Sequence, residues 1–167
     1  MEKIKKAYYY FFYKLYKHSK GSIFPENFTG SIFLGTLGIW FTITLLNYYN
    51  IFIDKSINFT KEVYIGIAVF FLLTSYITID YNDTWKKYNQ EFDQLPTEKN
   101  KVGGIIVWSV IIVIVANMIF SYYFLYERAK RNQTGPYAKE YIQQQKIKDS
   151  LENIKYKKRM EDIRQGK

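Results

Sequence analysis

Three stretches of this chain are long, oily and free of charged side chains: residues 31–53, 63–79 and 102–126. That pattern limits the fold more than any other feature of the 167 residues. The first, SIFLGTLGIWFTITLLNYYNIFI, has 23 residues, about 34 Å of helix. A bilayer core is about 30 Å thick, so this run can cross with some tilt. The second, VYIGIAVFFLLTSYITI, has 17 residues, the short end of the spanning range. Tyr64 and Tyr81 can extend it into the interfaces. The third, VGGIIVWSVIIVIVANMIFSYYFLY, is the most apolar. None shows the polar face of a core helix in a water-soluble domain. The expectation is an all-α integral membrane protein with three transmembrane helices.

The mean hydropathy of −0.24 hides this segregation, because the charges crowd between and after the apolar runs. The net charge of +9 invites a nucleic-acid reading, but its distribution argues against one. The segment 127–167 holds twelve Lys/Arg against six Asp/Glu, and basic residues flanking spans serve topology and anionic headgroups. The first 30 residues carry six Lys/Arg and the 80–101 loop four, whereas the 54–62 turn carries only Lys55 and Lys61. This balance puts the N-terminus and the 80–101 loop in the cytoplasm. Three crossings then leave the C-terminal tail in the periplasm.

The start, MEKIKKAYYYFFYKLYKHSK, is basic, but its apolar part is short, aromatic and interrupted by Lys14, and no small-residue cleavage site follows. It reads as an interfacial helix with Tyr8, Tyr9, Phe11, Phe12, Tyr13 and Tyr16 at headgroup depth. In the loop DYNDTWKKYNQEFDQLPTEKN, Asp83 is placed to N-cap a helix beginning near Thr84. Trp85, Tyr88, Phe92 and Leu95 recur on one helical face, Pro96 ends the helix, and TEKNKVGG turns the chain into the third run. This amphipathic cytoplasmic connector is expected to lie on the bilayer. Trp85, Tyr88 and Phe92 then sit in the interface, and Lys86 and Lys87 face anionic lipid. Asp80, Asp83, Glu91 and Asp93 lack the pattern of a calcium loop and read as a solvated helix flank.

The runs YNDTWKKYNQEFDQLPTEKNKVGGIIVW and IIVIVANMIFSYYF, with the opening YYYFFYKLYK, resemble a family of small uncharacterised multi-pass membrane proteins common in Bacteroidota. The resemblance covers about residues 7–126, and its most specific part is W-K-K-Y…E-F-D-x-L-P…K-N-K-x-G-G. It implies the inner membrane of a Gram-negative bacterium and brings no activity, cofactor or catalytic residue. Many members end soon after the third span, so the long tail is a departure.

No ionisable residue falls within the three runs, which counts against proton or ion pumping. Asn117, deep in the third, is the polar residue to single out, for helix packing or for a pore. Gly35, Gly38 and Gly66 permit close helix approach. The chain divides into a membrane domain, 1–126, a basic hinge, 127–136, and a helical tail, 137–165. Pro136 suits the first position of that polar tail helix.

Without cysteine, and with His18 as the single histidine, the chain carries no nucleophile, zinc or nucleotide motif. The reading is therefore a non-enzymatic membrane protein that acts by association, with no cofactor, as an accessory or scaffold subunit of the bacterial envelope. Its partners are the lipid bilayer and a second copy or another protein reached through the C-terminal helix. The alternatives are a homo-oligomeric pore or membrane effector built around Asn117, and an immunity-type membrane protein.

Overall fold

The computed structural model describes every residue except Met1, Lys55, Ser56, Asn58, Asn82, Gly166 and Lys167. Lys55 and Lys167, both used in the charge counts, therefore lie outside the described residues. All secondary structure among those described is helical. Helix α1 (Glu2–His18) has Glu2 in its first turn and Lys17 and His18 in its last, matching the helix dipole at both ends. Helix α2 (Glu26–Phe52) follows Pro25, whose carbonyl accepts the Thr29 N–H at 2.9 Å. Helix α3 (Lys61–Ser75) widens into one π-helical segment, Tyr76–Asp80. Helix α4 (Thr84–Asp93) is short, and α5 (Thr97–Asn132) is the longest at 36 residues. Helix α6 (Lys139–Arg164) ends the chain.

Three helices are long and apolar enough to cross a membrane, and they contain the three runs expected from sequence apart from Ile53, the C-cap of the first. Their bounds differ from the runs in instructive ways. Helix α5 begins at Thr97, directly after Pro96, so TEKNK is its first turn rather than a loop. It also continues through residues 127–132, half of the expected hinge. Glu, Lys, Ala and Arg are good helix formers, and nothing there breaks the ladder. The break comes at Gln133, with φ of 51°, where Thr134 N–H reaches Ala129 O at 3.0 Å and Gln133 N–H reaches Lys130 O at 3.3 Å. Those two bonds form a Schellman ending. Pro136 belongs to the 3₁₀ turn Gly135–Tyr137, and the tail helix starts only at Lys139.

Two compact units result, Met1–Tyr122 and Tyr123–Lys167. In the first, α1 packs on both α2 and α4, and α2 packs on α3. Its buried apolar cluster is Tyr9, Phe12, Tyr13, Ile79 and Phe92, drawn from α1, the π-helical segment and α4. Gly35 backs onto Ser75 across α2 and α3, whereas Gly66 faces open space and supports no close approach. In the second unit, the rings of Tyr126 and Tyr137 meet edge-on at 5.5 Å, and α6 buries none of its residues.

Candidate functional site

The charged stretch between the second and third apolar runs becomes a packed polar site of the first unit. Helix α4 turns Trp85, Tyr88 and Phe92 to one side, as the spacing requires, but that side meets α1. Tyr88 stacks on Tyr9 at 4.5 Å, Trp85 meets Phe12 at 5.8 Å and Tyr16 at 5.1 Å, and Phe92 meets Tyr10 edge-on at 5.0 Å. Such pairs add about 0.5–1.5 kcal/mol each beyond area burial. Phe92 is buried and so makes no lipid contact, and α1 covers much of Trp85 and Tyr88. Lys86 and Lys87 stay exposed. On α1, Tyr9, Phe12 and Tyr13 are likewise buried in protein. Amphipathicity states that a face must be covered, not by what.

Each acid of the loop finds a different partner. Asp83 sits at the N-cap position but makes no capping bond with its side chain; it pairs with Lys86 at 2.9 Å. Glu91 pairs with Lys6, and Asp93 with Lys17 at 2.7 Å, so two acids expected to be solvated tie α4 to α1 from both edges of the aromatic contact. Tyr13 also donates to Asp93 at 2.8 Å. The Lys17 hydrogen bond holds the Asp93 carboxyl below its ordinary range, and the Asp93 bond raises Lys17 in return.

A second node joins α1 to the start of α5. Lys14 donates to the Asn100 backbone carbonyl at 2.8 Å and to its side-chain oxygen, and Tyr10 donates to the same two oxygens at 3.2 and 3.1 Å. Burial alone lowers the Lys14 ammonium pKa. Gly103 lets this happen, because a Cβ there would fall on the Tyr10 ring. His18 is exposed and sets its ring 5.0 Å from Trp108.

At the π-helical segment, Asp80 accepts from Asn27 at 2.9 Å and from Ser31 at 2.7 Å, while Tyr8 and Tyr9 bond Thr78 at 2.7 and 3.1 Å. No local sequence signal marks Asn27, Lys14, Lys17 or Asn100, whose partners lie 53 to 90 positions away. Among the described residues, no cluster of three or more acids and His could hold a metal.

Asn117 takes its partners within the chain. It accepts from the Tyr48 hydroxyl at 3.0 Å and donates to Val113 O at 2.8 Å. One turn on, buried Asn47 donates to fully buried Ser121 at 3.1 Å. This polar seam between α2 and α5 suits a helix-packing role for Asn117. Comparison with protein families, with curated proteins and with solved structures finds no match.

Proposed function

We propose that the chain is a multi-pass protein of a bacterial inner membrane that acts by association, as an accessory or scaffold subunit of the envelope. One observation carries this reading: three span-length helices turn their apolar side chains outward while the charged connector is packed inward on α1. Outward faces such as Phe70, Ile112 and Ile119 suit hydrocarbon, and α1 with α4 makes a firm platform beside them. On the Lys/Arg balance, that platform faces the cytoplasm and α6 the periplasm. Helix α6 then offers a long, fully exposed surface for a protein partner or a second copy. The polar rather than ionisable character of the buried seam fits a packing role better than a transport one.

Cysteine accessibility tests the placement, since the chain has no native cysteine. Exposed Lys20, Thr60, Thr97 and Ser150 are suitable positions, whereas Ser19 is buried. Labelling of Thr60→Cys and Ser150→Cys from outside, with Lys20→Cys and Thr97→Cys protected, is the expected result. Protection of position 150 together with 20 would put the tail on the same side as the N-terminus and overturn the three-crossing arrangement.

A further inference from the structure

A cavity lies apart from the aromatic contact between α1 and α4. It has a volume of about 460 Å³ and is walled by α1, α2, α3 and α5, with Ile4, Phe11, Leu37, Phe41, Phe71 and Ile114 among its lining residues. That volume lies in the range of sites that hold one small ligand, about 300–1,000 Å³. The cavity is open along one side, since Ile4 is 77% exposed and Phe41 51%. Among its hydroxyl-bearing walls, Tyr8 is already committed to Thr78. Gly38 lies against the flat of Phe71, so the α2 wall is flush where any β-carbon would displace that ring.

We propose that this cavity seats one acyl chain of an anionic phospholipid. The inference rests on the membrane reading above and names the lipid class that it would retain. All three span-length helices contribute to the cavity, so its open side faces whatever surrounds the bundle. In a bilayer that medium is hydrocarbon, and an unfilled apolar recess forfeits the dispersion contacts that a chain would restore. Charge complementarity selects the headgroup. On α1 the cavity residue Ile4 stands between Lys3 and Lys5, both exposed, and among the described residues no carboxylate pairs with either. Lysine stems can lie along apolar surface while the ammonium reaches a phosphate. A polar metabolite finds no comparable set of partners there.

Photo-crosslinking in vesicles tests this directly. The full chain is reconstituted in phosphatidylcholine with phosphatidylglycerol, one of the two lipids carrying a diazirine at the end of an acyl chain. The expected result is that phosphatidylglycerol adducts concentrate on the peptides around Ala7–Phe11 and Leu37–Phe41, well above those from phosphatidylcholine. Ala7 is an exposed cavity residue, so Ala7→Trp blocks the opening without disturbing the core. It should remove most of those adducts, while Ile105→Trp on the outward face of α5 leaves them unchanged. Lys3→Glu with Lys5→Glu should equalise the two lipids. Adducts spread evenly over outward faces, or equal labelling by both lipids in the unaltered chain, would each overturn the proposal. Absence of adducts on every helix would instead break the membrane reading on which it rests.

Discussion

Helix α5 and the α1–α4 pair make opposite use of their apolar residues. Helix α5 carries the most hydrophobic run of the chain, yet only Val107 and Ser121 are buried along it. Helices α1 and α4 carry ten of the lysines and acids between them, yet they hold Phe12 at 0% exposure and Phe92 at 5%. In water this arrangement would be inverted, because burying apolar area is the main driving force for folding. Surrounded by hydrocarbon, α5 needs no protein cover, and packing and a few hydrogen bonds decide where it sits. The platform of α1 and α4 folds by the ordinary rules of a small soluble core.

That contrast sets the expected sizes of substitution effects. Phe12→Ala empties the centre of the aromatic cluster and should cost about 3–5 kcal/mol, read as a lowered unfolding midpoint in mild detergent. Ile112→Ala, on an α5 side chain that is 65% exposed, should stay within about 0.5 kcal/mol. Equal losses would break the comparison. Next in size is Trp85→Glu, which puts a charge against Phe12 and Tyr16 and should cost about 2 kcal/mol. Fluorescence sharpens the same point. With only Trp85 kept, through Trp40→Phe and Trp108→Phe, lipids brominated on their chains should quench weakly. With only Trp108 kept, on the exposed side of α5, they should quench strongly. Strong quenching of Trp85 would restore the interfacial placement suggested by its spacing.

A smaller effect belongs to the seam inside the spans. Asn47→Leu removes the donor to Ser121 and should cost about 1 kcal/mol, measured by the loss of detergent-resistant folded protein. Asn117→Leu should cost less, because the Asn117 amide is partly exposed and one of its two bonds runs to its own helix.

The sequence made the spans legible because length and lack of charge are local properties. Residues 31–52, 63–79 and 102–126 fall within helices of spanning length, and Ile53 caps the first. Helix α4 was legible for the same reason, since Trp85, Tyr88 and Phe92 repeat at helical spacing. What covers that face was not, because a stripe of rings looks alike to lipid and to a second stripe of rings on α1. Glu91 and Asp93 stay solvent-exposed as read, but their ion pairs were not legible. Their lysines stand on α1, more than 70 positions earlier, and pairing over that distance leaves no local mark. The π-helical widening at Tyr76–Asp80 left no visible signal either. It turns Ile79 into the aromatic cluster and keeps Asp80 beside Asn27 and Ser31, an adjustment that depends on three helices at once.

The ionic rim of the platform gives the smallest expected effect and the one with a distinctive pH signature. Asp93 and Lys17 keep substantial solvent contact, with side chains 49% and 33% exposed, so their pair should contribute less than about 1 kcal/mol. Asp93 titrates below its ordinary range because Lys17 and Tyr13 donate to the ionised form. Its contribution is therefore complete above the ordinary carboxylate pKa and is lost as pH falls through the lowered one. Lys17 is raised by the same contact, so its share is present below an ordinary lysine pKa and disappears only as pH rises through the raised value. Between those limits the α1–α4 contact should be insensitive to pH. Amide exchange of α4, measured relative to α5, should quicken slightly on acidification below about pH 4, and Asp93→Asn should flatten that acid response. An unchanged acid response in Asp93→Asn would show that the Asp93–Lys17 pair is not its source.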